Sequence, residues 1–472
     1  MTEPGRDGSR RRLHLVGIGG SGQSSLAAYL LGRGDLVSGC DLKEGSILRL
    51  LRARGARIDA GHSSDHVVDV DELVHTAAAT ADHAEIAAAA ARGVPASKYA
   101  RFLGGETVGR RCVAVAGTHG KTTTTTLLAE ILIAAGLDPS AVIGGFPVGW
   151  PLPGRSGAGP HFVVEACEYD RSFQNFRPHL ALVTNVEPDH LDFFGTHENV
   201  VRAFADFLGN VESDGCSVLH ESAAAALRGA GVRIDALVVG EGSDADARLV
   251  PQSSLRGRAH GRLFAFGGEP VELAPALAGD HNFVNAALAA TAALRLGVPA
   301  STIEQAVRAF RGVRRRLEPV GERGGVRYFS DYAHHPTEIR AARLALRASH
   351  PERRLLVVFQ PHQASRTKSF RNDFAAELAA FDEVIVPNIF SVRESPEGVE
   401  RETEQLVEAM RARGRDAVRT HGLAEVFAEV SRTARAGDVV VLMGAGDIDD
   451  LAEELRDAAA NPKTIAREAG VA

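Results

Sequence analysis

Cys112 to Thr126 reads CVAVAGTHGKTTTTT, a run of residue types suited to holding phosphate. The apolar stretch Val113 to Ala116 breaks at Gly117, and Gly120-Lys121-Thr122 opens a series of threonines. That pattern predicts a strand, a glycine-bounded loop and a helix N-terminus, where backbone N–H groups and the helix dipole face an anion. Gly117, Thr118, His119, Gly120, Lys121, Thr122 and Thr123 form the candidate ATP loop. Lys121 is placed to reach the β- and γ-phosphates, and the Thr122 hydroxyl to ligate Mg²⁺. Arginine greatly outnumbers lysine, whose positions are Lys43, Lys98, Lys121, Lys368 and Lys463, so a lysine in this loop stands out.

Two acidic groups follow predicted strands downstream. Glu165 ends FVVE with Glu168 and Asp170 behind it, while TNVEPDH supplies Glu187, Asp189 and His190. Mg²⁺ on phosphates needs hard oxygen donors, and Glu165 with His190 is the expected complement to Thr122. GDHNFVN (279–285) brings Asn282 and Asn285 to the start of an alanine-rich helix, as helix caps or as hydrogen-bonding groups for a nucleobase edge; capping is the reading taken from the residues alone. Arg314 to Arg316 is a basic cluster that either clamps phosphate or is simply solvated. SDYAHHPTE (330–338) and FQPHQASRT (359–367) put Tyr332, His334, His335, His362 and Arg366 after successive strands. They predict one pocket, either a histidine metal site or, as preferred here, a small-carboxylate site with Arg366 pairing the anion.

The elements that must position these residues read as α/β. Leu13 to Asp41 is a strand, the turn Gly17-Ile18-Gly19-Gly20-Ser21-Gly22, an apolar helix and a second strand ending in acid. Glycines there permit close approach of a pyrophosphate, and Asp41 is placed for a ribose hydroxyl. The motif leaves open whether the ligand is a nicotinamide dinucleotide or a nucleotide sugar. Ala84 to Ala91 reads as a helix, Phe146 to Pro160 as a glycine- and proline-rich surface loop. Strand-like runs at Val326 to Ser330, Leu355 to Phe359, Val384 to Pro387 and Val439 to Met443, each followed by a helical or turn segment, predict a parallel sheet. Ligands in such sheets sit at the carboxyl ends of the strands.

A chain of 472 residues exceeds one core and suggests about three domains. Net charge of −7 argues against a nucleic-acid partner held by charge. Cys40, Cys112, Cys167 and Cys216 are scattered without C-x-x-C spacing, which predicts reduced thiols in a cytoplasmic protein and neither a disulfide frame nor a zinc site. Residues 1–12 are polar and basic, and the apolar run behind them is only strand-length, so no signal peptide or membrane partner is expected.

GIGGSG, AGTHGKTTT, EACEYDRSF, TNVEPDHLD, GDHNFVNAA, RRRLE, DYAHHPTE, FQPHQASRT and GAGDI occur in an order and spacing that resembles the three-domain muramyl ligases over essentially the whole chain. The resemblance implies a Rossmann-like N-terminal domain for a uridine nucleotide sugar (1–109), a central P-loop ATPase domain (110–313) and a Rossmann-like C-terminal domain for an amino acid (314–472). It implies ATP and Mg²⁺ as cofactors, UDP-N-acetylmuramate and L-alanine as substrates in peptidoglycan precursor synthesis, and a monomer or homodimer. An intact tripeptide in place of L-alanine is the alternative acceptor. By the same resemblance Gly17, Gly19, Gly20, Ser21, Gly22 and Asp41 serve the UDP sugar, and Asn282, Asn285 and Arg316 join the ATP loop. Lys121, Glu165, His190 and His334 are catalytic, with Thr122, Glu165 and His190 on the metal, and Tyr332, His334 and Arg366 line the amino-acid site. The chain departs from the family pattern at Thr76 to Ala79, at His83-Ala84, at Tyr99 and at Gln363. Sister ligases carry a carbamylated lysine near the metal, whereas Lys121 is the middle segment's lysine and is already assigned to phosphate.

Overall fold

The computed structural model describes residues 10–391 and 394–460; most of the basic N-terminal stretch, and Lys463, lie outside them. Its strands form three sheets. The first has the order Arg57–Ala60, Leu36–Asp41, Arg12–Val16, Glu72–His75, Ala96–Lys98, with every neighbouring pair parallel. This is the open doubly-wound arrangement expected from the glycine turn.

The second sheet has ten strands. Its centre is parallel: Leu180–Val183 and His161–Glu165 flank Arg111–Ala116, and Cys216–His220 and Leu237–Gly240 continue it. The edges are antiparallel, with Gly154–Arg155 on Ser140–Val142 and Arg258–Ala265 on Val271–Leu273. Phe146 to Pro160 is therefore no plain surface loop. It carries the Gly154–Arg155 edge strand and buries Leu152 to Gly154 against the helix Ser21–Arg33. Ser25 fastens the two together, its hydroxyl donating to Pro153 O (3.2 Å) and accepting from Ile143 N (2.8 Å).

The third sheet runs Glu318–Arg323, Val326–Asp331, Val439–Met443, Leu355–Phe359, Glu383–Pro387, Val418–Thr420. Glu318–Arg323 pairs antiparallel and the remaining strands are parallel. Side chains alternate between the two faces of a strand, and here both faces are covered. Leu355, Val357 and Phe359 enter one apolar cluster with Val439, Val441 and Met443. Leu356 and Val358 enter another with Val440 and Leu442. Burial on both sides is why these strands read as unbroken apolar runs.

By contact density the chain forms two compact units. Among the described residues, one comprises 10–252, 261–276 and 283–311, and the other 253–260, 277–282 and those from 312 onward. Among the described residues no helix is long and apolar enough to cross a membrane.

Candidate functional site

The helix Lys121–Ala134 begins with five consecutive threonines, all buried, and their β-branching does not favour a helix by itself. Thr125 and Thr126 return their hydroxyls to Lys121 O (2.8 Å) and Thr122 O (2.7 Å) within the helix, while the buried Thr124 hydroxyl has no hydrogen-bond partner among the described residues. The loop ahead of it needs glycine at two places. Gly117 has φ +136° and Gly120 φ +80°. A Cβ on Gly117 would stand 1.9 Å from Thr184 Oγ1, and one on Gly120 2.5 Å from Asn285 Oδ1. The segment after Leu180–Val183 holds the loop from one side. Asn185 accepts from His119 N (2.8 Å) and donates to His119 O (3.1 Å), and Thr118 N donates to Asn185 O (3.1 Å). The Thr118 hydroxyl accepts from Glu187 N at 2.9 Å. The phosphate loop is thus a braced turn.

Lys121 Nζ donates to Gly117 O and to Thr118 O (3.0 Å), and it lies 3.0 Å from Glu168 Oε2. Burial alone would lower the lysine pKa, but the carboxylates of Glu168 and Glu165 outweigh it and hold the ammonium charged. Thr122 Oγ1 donates to Glu165 Oε1 (3.1 Å), and Glu165 Oε2 accepts from Gly144 N (2.8 Å). His190, at φ +50°, has Nε2 3.8 Å from Glu168 Oε1 and 3.7 Å from Asp189 Oδ2. Glu168, Asp189 and His190 bring one donor atom each to within 4.8 Å of one another.

The structure therefore gathers Lys121, Thr122, Glu165 and His190 as the sequence predicts, and adds Glu168 at their centre. Reasoning from strand ends missed it as a site residue because it lies three positions past Glu165. The signal was the aromatic spacing behind it. Phe173 inserts between Phe204, edge-on at 5.2 Å, and Phe207, stacked at 4.9 Å. That anchor pins the tight turn Tyr169–Asn175, where Asp170 and Arg171 take positive φ, and so aims Glu168 back at the loop.

The expectation that Asn282 and Asn285 cap a helix is corrected. The helix begins at Asp280 and contains both. Asn282 Nδ2 donates to Ala278 O (2.7 Å), while Asn285 stands against Gly120 of the loop. Asn282 groups with the second compact unit and Asn285 with the first.

At the glycine turn Gly17 to Gly22, Gly17 N and Ile18 N both donate to Cys40 O, and Gly19 N donates to Asp41 Oδ2 at 2.9 Å. The other oxygen of Asp41 accepts from Lys43 N at 3.3 Å. The carboxylate fixes the turn itself. Gly20 precedes the helix that Ser21 begins, and Gly22 faces Tyr99, whose phenol would lie 3.0 Å from an added Cβ. At the carboxyl edge of this sheet a cleft of about 660 Å³ is lined by His75, Lys98, Tyr99, Arg101, Asp170 and Asn175, among others. Ala77, Ala79 and Tyr99, three departures from the family pattern, line it too.

In the second unit Tyr332 follows the strand Val326–Asp331. The guanidinium carbons of Arg315 and Arg316 lie 4.7 and 5.3 Å from its ring centre. Arg316 is also 3.6 Å from Glu338. His334 Nδ1 lies 3.0 Å from Tyr332 O, which places the proton on Nδ1 and makes Nε2 the basic nitrogen. Asp331 is buried, accepting from Leu317 N (2.7 Å) and Ala333 N (2.8 Å), and burial pushes its pKa up to about 6. His335 caps the helix Pro336–Ser349 by accepting from Thr337 N, a structural use that counts against the histidine metal site. The rings of His334 and His362 are 6.4 Å apart, and Arg366 lies in the short helix Ala364–Ser369.

Three family models match the chain: the Mur ligase family catalytic domain over 12–107, the Mur ligase middle domain over 115–293 and the Mur ligase glutamate ligase domain over 315–446. The UDP-N-acetylmuramate–L-alanine ligase of Renibacterium salmoninarum is 40% identical over 454 residues, covering 96% of each chain. That of Kineococcus radiotolerans is 42% identical over 462 residues, covering 94% of this chain and 95% of its own. Among solved structures, the UDP-N-acetylmuramate-alanine ligase of Thermotoga maritima superimposes with a TM-score of 0.81 at 26% identity, covering 96% of this chain and all (100%) of that one. A murein peptide ligase of Psychrobacter arcticus shares the fold with a TM-score of 0.74 at 24% identity.

Proposed function

This chain belongs to the Mur ligase family, and we propose that it joins L-alanine to the carboxylate of UDP-N-acetylmuramate at the expense of ATP. The products are UDP-N-acetylmuramoyl-L-alanine, ADP and phosphate, a step of peptidoglycan precursor synthesis. The observation that carries this reading is the near full-length match to relatives of that name at 40% identity or above, with the braced lysine loop in place.

A carboxylate is a poor electrophile towards an amine, so it is first activated. Its oxygen attacks the γ-phosphorus of ATP, the β–γ bridge breaks, and an acyl phosphate and ADP result. Lys121 and the N–H groups of Gly117 to Thr123 supply positive charge where the phosphoryl oxygens gain negative charge. The amine of L-alanine then attacks the acyl carbon, phosphate leaves, and the amine loses a proton. His334, basic at Nε2, is placed to orient or deprotonate that amine, with Tyr332 and Arg366 holding the amino acid's carboxylate end. Gly17, Gly19, Gly20, Ser21 and Gly22 face the pyrophosphate of the UDP sugar with Asp41 beside that site, and Asn282, Asn285 and Arg316 act on the ATP side.

The hydroxyl of Thr122 and the carboxylate of Glu165, 3.1 Å apart, are hard oxygen donors that suit Mg²⁺, with His190 beside them. Bound there, Mg²⁺ supplies charge neutralisation at the phosphates. We take the three-domain division at 109/110 and 313/314 as part of this proposal, along with a cytoplasmic setting in which a nucleotide-sugar substrate is met.

The test is ADP and phosphate release with ATP, Mg²⁺ and UDP-N-acetylmuramate, in the presence of L-alanine, of the tripeptide or of neither, with the product weighed by mass spectrometry. Release that requires L-alanine and gives the matching mass is the expected result. Release that requires the tripeptide instead would transfer the chain to the recycling reaction.

A further inference from the structure

The first sheet encloses a second group of ionisable side chains that the ligase chemistry does not use. His14 lies in the strand Arg12–Val16, Cys40 in Leu36–Asp41, His66 in the turn Ser64–Val67, and Glu85 in the first turn of the helix Ala84–Arg92. His14, Cys40 and Glu85 have no solvent exposure. One donor atom from each of the four lies within 4.8 Å of the others. Cys40 Sγ is 3.1 Å from Glu85 Oε2, and His66 Nδ1 is 2.6 Å from Glu85 Oε1. His62 stands at the rim, its Nδ1 3.1 Å from Cys40 Sγ.

His14 is the member of the group whose ring nitrogen points into it from the sheet. Its Nδ1 is 2.9 Å from Ser38 Oγ, whose own proton goes to Leu13 O at 3.3 Å. With the proton on Nδ1 donated to Ser38, Nε2 presents a lone pair to the cluster, the tautomer a metal-ligating imidazole adopts. That Nε2 is buried, has no hydrogen-bond partner and faces Glu85 Oε1 across 3.6 Å. In that tautomer the nitrogen and the carboxylate oxygen both present lone pairs, and a cation between them satisfies both. The Ser38 contact is also the outer hydrogen bond that orients a metal-ligating imidazole.

We propose that His14, Cys40, His66 and Glu85 form a binding site for a borderline-soft divalent cation, Zn²⁺ by preference. Two imidazoles, a thiolate and a carboxylate are a Zn²⁺ donor set, and tetrahedral ligands at Zn–N and Zn–S bond lengths stand roughly 3.3–3.8 Å apart. Binding releases the Cys40 thiol proton to solvent, and the His66–Glu85 pair opens slightly to admit the ion. The site is separate from the proposed Mg²⁺ group of Thr122, Glu165 and His190, which lies beside the second sheet and is dominated by oxygen donors. Its consequence is local. Cys40 O is the acceptor for Gly17 N and Ile18 N, so the ion braces the strand on which the glycine turn rests. In the sequence only His62 and His66 share a ligand-like H-x₃-H spacing, and the four proposed ligands are drawn from four separate elements with no C-x-x-C pair among them.

The experiment strips the full-length chain with chelator, loads it with Zn²⁺ or Co²⁺ in excess Mg²⁺, and removes unbound metal by gel filtration. We expect about one Zn²⁺ retained per chain and, with Co²⁺, a thiolate-to-metal charge-transfer band with the strong visible bands of a tetrahedral site. Cys40→Ser and His14→Gln should each lose the retained metal, and Cys40→Ser the thiolate band, while the paired control Cys167→Ser/Cys216→Ser keeps both. The wild-type chain failing to retain Zn²⁺, or showing no thiolate band, would overturn the site whatever the variants do. Retention that survives in folded His14→Gln, or disappears in the paired control, would also overturn it. An imidazolium–carboxylate pair formed by a proton alone is the reading those negative outcomes leave standing.

Discussion

Lys121 has two jobs that can be separated. It is the loop's cation, and it is the charge partner of Glu168, whose side chain is 3% exposed. Lys121→Ala removes both, so turnover should fall by about a thousandfold or more, and Glu168 is left buried without its partner, at a cost on the order of 3 kcal/mol. Adding Glu168→Gln should restore most of the stability and none of the turnover. Urea unfolding and ADP release on the single and double variants read the two effects apart; recovery of turnover in the double variant would remove Lys121 from the chemistry. Asp331 gives a pH signature. Its folded pKa is raised from 3.8 to about 6 by burial, so the folded state binds the proton more tightly than the unfolded chain. Its contribution to stability is present below the unfolded pKa and is lost as pH rises from about 4 through about 6. Asp331→Asn should therefore be relatively more stable, against wild type, at pH 7 than at pH 4.5 in paired urea titrations. A difference between the two proteins that does not change with pH would refute the assignment.

At the scale of elements, the junction at Ser25 governs how the first two sheets meet. One hydroxyl serves both Pro153 O and Ile143 N, and Gly154 approaches so closely that a Cβ there would lie 2.2 Å from Ser25 O. Ser25→Ala leaves a buried N–H and carbonyl unpaired and should destabilise the first unit by about 1–3 kcal/mol, measured as a lower urea midpoint with an unchanged slope. Sequence reasoning saw Phe146 to Pro160 as a surface loop because its glycines and prolines mark turns, and composition says nothing about a distant helix packing on them. The parallel strands were legible since burial on both faces writes an unbroken apolar run, as at Leu355–Phe359 and Val439–Met443. The glycine-bounded turn and helix start at Gly117 to Lys121 were legible because their determinants are local. What escaped was non-local: Glu168 is aimed by Phe173 packing on a helix beyond Thr196, and the His14–Cys40–Glu85 group meets only when a sheet and a helix close on it. The antiparallel strands Glu318–Arg323 and Arg258–Ala265 escaped as well, because exposed residues such as Arg323, Arg258 and Arg262 interrupt their apolar pattern.

For the whole molecule, the division into two compact units makes a prediction that the composition lets one measure. The chain has a single tryptophan, Trp150, in the part of the first unit between the phosphate-loop helix and the strand His161–Glu165. Tryptophan fluorescence therefore reports the first unit alone, while far-ultraviolet circular dichroism reports helices and strands of both. Each unit has its own apolar core, the second with separate clusters on the two faces of its sheet, so each has the means to unfold as a cooperative body. If Mg²⁺ and ATP bind at the loop as proposed, they stabilise the unit that contains it by an amount set by ligand concentration over Kd. At a hundredfold excess over Kd that is about 2.7 kcal/mol. Heating or urea should then move the fluorescence transition upward when Mg²⁺–ATP is added, while part of the dichroism amplitude stays where it was. If instead the two signals coincide without nucleotide and move together with it, the units unfold as one body. In that case the boundary between the two units is geometric and carries no thermodynamic meaning.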